Sequence, residues 1–133
     1  MTFFDTNILV YATIDQGTEK LALSEKRIEE SIREGSFFIS PLVLSEYIFI
    51  LSKLKILQEH HRDIVLYSNF VAGAIDSQIT TQAYMLCKEL SCCKNINDAI
   101  HLQMAQKHCT KLLTFDSDFR RFEKFSEIEI EIL

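Results

Sequence analysis

The chain has 133 residues, of which 47% are hydrophobic and 25% charged, and its formal net charge is −5 at pH 7. This length suits one compact domain, residues 1–133, that buries a core without disulfides or structural metals. Three glycines and one proline leave no flexible linker or low-complexity tract. A negative net charge is unusual for a protein that binds nucleic acid, unless several acids surround a divalent cation.

The elements of the first half are predicted in alternation. In chain order they are a strand over 2–4, a helix over 6–14, a helix over 18–34, a strand over 36–39 and a helix over 42–54. Thr6 or Asn7 can cap the first helix, and Gly35 suits the end of the second. The helix over 42–54 is apolar nearly all round, which indicates burial on most sides or a subunit contact.

The second half continues the alternation. Its predicted elements are a helix over 58–71, a strand over 74–79, helices over 81–90 and 95–108, a strand over 111–115, a short helix over 118–124 and a strand over 128–133. In the last strand, isoleucines alternate with Glu129 and Glu131, as is typical of a half-exposed or edge strand. The whole pattern predicts a three-layer α/β/α domain with a short, mostly parallel central sheet.

The sequence also indicates where the protein works. No stretch of about 18 uncharged apolar residues predicts a membrane span, and the N-terminus does not have the pattern of a secretory signal. The four cysteines, Cys87, Cys92, Cys93 and Cys109, are not spaced as in a zinc ribbon or a disulfide framework. We therefore expect a cytoplasmic protein whose cysteines are small buried side chains.

Acidic residues recur at predicted strand ends and helix starts. Asp5 follows the first strand, Asp98 begins a helix, and Asp116 and Asp118 follow the strand over 111–115. Each of these residues alone also suits a helix cap or a first-turn acid. However, right-handed crossovers bring the carboxyl ends of parallel strands to the same side of a sheet, where ligands bind. Asp5 and Asp116 are therefore expected to meet.

Glu46 lies in the most apolar predicted helix, so it must find a partner or stay protonated. It either shares a polar stripe with Ser45 and Lys53 or faces a metal ion. Carboxylates gathered at one site repel each other by roughly 4 kcal/mol per pair at 4 Å with an effective dielectric near 20. A cation or protonation is needed to hold such a cluster, and oxygen ligands suit Mg²⁺ or Mn²⁺.

Four segments resemble the acidic motifs of PIN-domain ribonucleases. They are FFDTNILVYA at 3–12, SPLVLSEYIFIL at 40–51, NINDAIHLQMAQ at 95–106 and LLTFDSDF at 112–119. Their order and spacing are most similar to VapC-type toxins of prokaryotic toxin–antitoxin pairs, over essentially the whole chain. The resemblance implies a PIN-like fold, metal-dependent endoribonuclease activity, a homodimer, and a cognate VapB-like antitoxin that blocks the acidic groove.

The resemblance also implies roles for individual residues. The catalytic acids would be Asp5, Glu46, Asp98 and Asp116, with Asp5, Asp98 and Asp116 as ligands of Mg²⁺ or Mn²⁺. Accessory roles fall on Asp118 and on residues that orient ligands by hydrogen bonding, namely Thr6, Asn7 and Thr114. His101 departs from the small residues usual after the third acid. It either contacts substrate or narrows the cleft, or it is a surface or second-layer histidine, which is the interpretation we favour.

Basic residues that adjoin the acidic motifs are candidates for contacts with the RNA backbone. They are Lys94, Arg120, Arg121 and Lys124, and each equally suits a solvated charged face. Phe119 and Phe122 suit the core better than a base-stacking surface.

The sequence gives less support to three other functions. A phosphatase with Asp5 as nucleophile would want an acid at position 7, which is Asn7. A phosphorylated receiver domain would want paired acids after the first strand and a lysine after a late strand, and neither pattern is present. A PIN-like module that binds RNA or a partner without cutting would be expected to lack some of the acids.

Overall fold

The computed structural model describes residues 1–91, 94 and 96–133. Its strands and α-helices are β1 (Thr2–Phe4), α1 (Thr6–Thr13), α2 (Lys20–Glu34), β2 (Phe37–Phe38), α3 (Pro41–Lys53), α4 (His61–Ser68), α5 (Ser77–Glu89), α6 (Ile96–His108), β3 (Lys111–Thr114) and β4 (Glu129–Ile132), with a 3₁₀-helix at Ser117–Phe125 between β3 and β4. The predicted α/β class is confirmed.

The described strands form one parallel sheet in the order β2-β1-β3-β4. Because β1 and β3 are central neighbours, the residues that follow them emerge at the same carboxyl edge. The backbone N–H of Asp5 donates to the carbonyl of Leu113 at 3.0 Å, which joins the end of β1 to β3. β4 lies at an edge of the sheet, as its alternating sequence predicts.

Helices cover both faces of the sheet. Phe3 and Phe38 are register partners, and the Phe3 ring lies 5.6 Å from the His101 ring of α6. Phe37 precedes Phe38 and so points to the opposite face, where its ring lies 6.2 Å from that of Tyr67 in α4. The central strands are therefore buried between two helical layers, which leaves their polar ends as the accessible edge.

Three predictions about local structure differ from the structure. The chain over 74–79 is not a strand, because Asp76 accepts a hydrogen bond from the Ile79 amide at 2.9 Å and starts α5 at Ser77. The N-cap of α1 is Asp5, not Thr6 or Asn7. The helix predicted over 58–71 is shorter, since α4 spans His61–Ser68.

Several features predicted from the cysteines and from hydropathy can be compared with the structure. Cys87 and Cys109 are buried, as expected, whereas Cys92, Cys93 and the predicted helix start at Asn95 lie outside the described residues. Within the described ranges, no helix is both long and apolar enough to cross a membrane.

Candidate active site

Four acids from four parts of the chain line one cleft of about 260 Å³ at the carboxyl edge of the sheet. Asp5 follows β1, Glu46 comes from α3, Asp98 lies in the first turn of α6, and Asp116 follows β3. The parallel sheet brings Asp5 and Asp116 together, and α3 and α6 contribute the other two acids. The structure therefore gathers the four acids that the sequence singled out.

Asp5 is the most buried of the four acids, with 5% exposure. Its Oδ1 accepts the Thr6 amide at 2.7 Å, and its Oδ2 accepts from Asn7 Nδ2 at 2.9 Å and Thr114 Oγ1 at 2.6 Å. Burial raises the pKa of Asp5, although His101 and the hydrogen bonds from Thr114 and the Thr6 amide oppose the rise. The bonds fix the direction of the carboxylate before any ligand arrives.

Asn7 and Thr114 connect the first acid to the end of β3. Asn7 Nδ2 also lies 3.0 Å from Thr114 Oγ1, and its Oδ1 accepts the Phe115 amide at 3.1 Å. Position 7 thus holds an amide that donates to Asp5 instead of a second acid. This arrangement gives no support to the phosphatase alternative.

Glu46 has found its partners in other elements of the fold. Its Oε1 accepts from Thr6 Oγ1 at 2.7 Å and lies 2.6 Å from His101 Nε2, and its Oε2 accepts from Asn97 Nδ2 at 3.2 Å. Burial would raise the pKa of Glu46, but the hydrogen bond and charge of His101, together with the hydrogen bonds from Thr6 and Asn97, outweigh burial and lower that pKa. Glu46 is therefore held as a carboxylate, and the His101 Nε2–H donates to it.

His101 is 1% exposed, although it is among the residues that line the cleft. Its Nε2 is also 3.8 Å from Asp5 Oδ1. Burial disfavours the charged ring, but the bond to Glu46 and the charge of Asp5 together raise the pKa of His101. This geometry agrees with a second-layer position. Sequence reasoning did not identify its contact with Glu46, which is 55 residues away along the chain.

The negative charge of Asp98 is only partly compensated by its neighbours. Burial, followed by the charge of Asp5, raises the pKa of Asp98 to about 6, and Asp116 adds to the effect. Arg121 partly offsets it, with Nη2 at 3.6 Å from Asp98 Oδ2. The cleft therefore concentrates negative charge that the protein's own cations only partly balance.

Asp116 and Asp118 have different surroundings. Asp116 is the N-cap of the 3₁₀-helix and accepts the Asp118 amide at 2.8 Å, while its own amide donates to Thr114 Oγ1 at 3.0 Å. Asp118 is exposed and is not part of the cleft lining in the described structure. The structure thus brings Asp116 to the cleft and leaves Asp118 beside it.

The four predicted RNA-contacting cations are not equivalent. Arg121 reaches the cleft through Asp98. Arg120, with 68% side-chain exposure, lies 3.8 Å from Glu123, Lys124 lies over the Phe125 ring at 5.2 Å, and Lys94 is exposed. Phe119 and Phe122 are buried, which confirms their prediction as core residues.

Sequence reasoning missed a further cation beside the cleft. Lys20 Nζ lies 4.5 Å from the centre of the Tyr11 ring and 5.3 Å from that of Phe115, and Tyr11 lines the cleft with the acids. No local pattern marks Lys20, because it begins a different helix from Tyr11. Packing of α1 against α2 creates the contact.

The donor chemistry of the cleft fits a hard divalent cation, because its acids present oxygen ligands. Within the described residues, no three His, Cys, Asp or Glu side chains form a ready-made metal cage. Magnesium does not need such a cage, since it keeps several waters and binds through one or two carboxylates. The raised pKa of Asp98 is a further sign of fit, because a nearby cation would stabilise the ionised form.

The comparison with protein families decides the classification. The family model of the PIN domain matches residues 2–125. The chain belongs to the PIN domain family. PIN domains are generally nucleases and typically use divalent metals, so membership supports a nuclease. No curated protein matches the chain.

Solved structures share the fold over nearly the full chain. A toxin–antitoxin complex from Klebsiella pneumoniae contains a chain with 24% identity and a TM-score of 0.66, covering 90% of both chains. VapBC2 from Rickettsia felis, bound to a DNA fragment from their promoter, contains a chain with 21% identity and a TM-score of 0.72, covering 99% of this chain and 98% of that one. At these identities the likeness shows the fold.

Proposed function

We propose that this chain is an endoribonuclease that cleaves RNA phosphodiesters with Mg²⁺ or Mn²⁺ and is the toxin of a toxin–antitoxin pair. The observation that carries the proposal is the convergence of Asp5, Glu46, Asp98 and Asp116 on one cleft in a PIN-domain chain. Because these acids lie far apart in sequence, their unrelated roles as helix caps do not account for the convergence.

Each acid has a part in this proposal. Asp5, Asp98 and Asp116 would hold the ion through their carboxylate oxygens, either directly or through waters that the ion keeps. When bound, the ion supplies positive charge that polarises the phosphodiester and favours ionisation of an attacking water. Glu46 would orient that water, because its carboxylate is fixed by three hydrogen bonds.

The accessory residues would set the ligand directions. Thr114 and Asn7 both donate to Asp5 Oδ2, and Thr6 donates through its amide to Asp5 and through its hydroxyl to Glu46. Such hydrogen bonds orient metal ligands and reduce the reorganisation needed on binding. Asp118 would act only through the Asp116 loop.

RNA would be held by cations around the acidic cleft. Arg121 has the best position, and the structure adds Lys20 to the candidates proposed from the sequence, namely Lys94, Arg120 and Lys124. Lys20 would meet a backbone phosphate, since Tyr11 and Phe115 hold its ammonium beside the cleft. A few such local contacts suffice for binding despite the negative net charge of the chain.

A VapB-like antitoxin and a second copy of the chain are the proposed protein partners, in the cytoplasm. The two related structures are toxin–antitoxin proteins. Apolar side chains on and just after α3 also remain accessible, with Phe49 65% and Leu54 51% exposed, which favours a protein interface. Solution scattering over micromolar concentrations should show a dimer, and a monodisperse monomer throughout would refute that part of the proposal.

Cleavage of RNA is the direct test. The purified chain is incubated with a circularised single-stranded RNA of mixed sequence, which only an endonuclease can open. Cleavage is expected with Mg²⁺ or Mn²⁺ and not with EDTA, and Asp5→Asn should abolish it while retaining the fold. Cleavage that survives in EDTA or in Asp5→Asn rejects the assignment. Tight binding without cleavage indicates the non-catalytic alternative.

A further inference from the structure

We propose that His101 and Asn97 are positioning residues for Glu46, and that RNA cleavage depends on the direction in which they hold its carboxylate. The inference rests on the proposed function. His101 and Asn97 are four residues apart, so they lie one above the other on the same face of α6. Each donates to a different oxygen of Glu46, at 2.6 and 3.2 Å respectively. The pair therefore fixes both the position and the rotation of the carboxylate.

We call His101 and Asn97 the Glu46 clamp, and the His101 side of this clamp is rigidly packed. The His101 side chain is 1% exposed, and its ring packs 5.6 Å from that of Phe3 on the central strand. Glu46, in contrast, is 28% exposed at its side chain and opens to the cleft. A glutamate side chain has three rotatable bonds, so without fixed donors it would adopt several rotamers.

The same imidazole N–H lies between two acids of the site. His101 Nε2 is 2.6 Å from Glu46 Oε1 and 3.8 Å from Asp5 Oδ1. A donor at this point offsets the repulsion between the two carboxylates and keeps their separation constant. Because only 1% of His101 is exposed, its proposed role is to act through these two acids.

A purely space-filling role makes a different prediction. If His101 only fills the core, an apolar side chain of similar volume should leave catalysis unchanged. If its donor matters, an amide should replace it, because the glutamine N–H lies at nearly the same distance from Cα as the imidazole Nε2–H. His101→Leu and His101→Gln separate the two roles.

The experiment measures kcat and KM of the full chain on the circular RNA. His101→Leu should lower kcat by about 10- to 100-fold, as the loss of a ligand-orienting partner does elsewhere, with KM changed by less than about twofold. His101→Gln should restore most of the lost rate. The matched control is His108→Leu, since His108 lies at the far end of the same helix against Phe38, and its kcat should equal that of the parent chain.

A second readout does not need activity. In the ¹⁵N-histidine NMR spectrum, the parent chain should show a slowly exchanging His101 Nε2–H signal, which shifts in Glu46→Ala. If the His101 Nε2–H signal is present but the chain cuts no RNA, the proposed function is rejected, whereas the hydrogen bond between His101 and Glu46 is supported. Normal kcat in a folded His101→Leu, or an equal loss in His101→Gln, overturns the inference. If His101→Leu does not fold, Asn97→Ala decides, and an unchanged kcat there also overturns it.

Discussion

Two groups of acids in this chain show what pairing does to a carboxylate. In the cleft, burial and neighbouring acids raise the pKa of Asp98 to about 6. On the edge strand β4, hydrogen bonds from Arg27 at 2.7 and 2.9 Å, together with Lys111 at 3.1 Å, lower the pKa of Glu131 to about 2. Glu131 is satisfied by the protein itself, whereas His101 and Arg121 only partly balance the charge around Asp98.

This difference identifies the functional region better than cavity size does. A larger cavity, of about 460 Å³, lies beside Arg27 and Lys111, where the charges already pair with Glu131. Groups whose pKa is perturbed by burial and like charges, in a cleft, are candidates for chemistry, while groups satisfied by ion pairs contribute to stability. The predictions below test that separation.

The largest expected effect is on catalysis. Asp98→Asn should reduce RNA cleavage to background, because the site loses a proposed metal ligand, and its melting temperature should be unchanged or higher because like-charge repulsion is removed. Glu131→Gln should cut RNA at the parent rate. The two variants are compared by cleavage assays and thermal melts. If Glu131→Gln is the less active variant, the assignment of Asp98 to catalysis and Glu131 to stability is contradicted.

An intermediate effect is expected on stability. Glu131 has a pKa below its usual 4.5, so its contribution to the free energy of unfolding is complete above pH 4.5 and is lost as pH falls toward 2. After allowance for solvent exposure the contribution is about 1 kcal/mol, or roughly 3–5 °C in Tm. Glu131→Gln should therefore melt lower at pH 7 and show a shallower loss of Tm between pH 5 and 3. Parallel pH profiles would be the contrary result.

The smallest effect concerns RNA binding. Binding of single-stranded RNA is measured in the inactive Asp5→Asn chain, with and without Lys20→Met. Lys20→Met should weaken binding and lower the slope of log affinity against log salt by about 0.7, the value for one phosphate contact. Lys26→Met is the control, because Lys26 lies on the same helix and faces Glu30, at 4.0 Å, and it should leave the slope unchanged. Equal effects of the two substitutions would mean that Lys20 has no specific contact.

The local parts of the site were accessible from the sequence. A short apolar run before Asp5 and another before Asp116 predict strands, and parallel topology then places both acids at one edge. Glu46 was also identified, because a carboxylate in an apolar helix requires a partner. These features could be predicted because residues that are close in sequence indicate which segments are buried, which have strand or helix periodicity, and how the strands are connected.

The remaining parts depend on packing between distant elements. The partners of Glu46 in α6 and the contact of Lys20 with Tyr11 have no local signal. The start of α5, where a strand was wrongly predicted over 74–79, does have a local signal. Ile79, Ala83 and Leu86 repeat with helical spacing and are buried in α5, and Asp76 is a good N-cap. The apolar residues within the short segment 74–79 suggested a strand, although the longer spacing indicates a helix.

The proposed nuclease activity requires a divalent cation bound by the cleft acids. Calorimetric titration of Mn²⁺ into the parent chain, Glu131→Gln and Asp98→Asn measures this directly. Saturable binding is expected for the first two chains, with loss or strong weakening in Asp98→Asn. Absence of Mn²⁺ binding by the folded parent chain, or equal binding by all three, would contradict a metal site formed by the cleft acids.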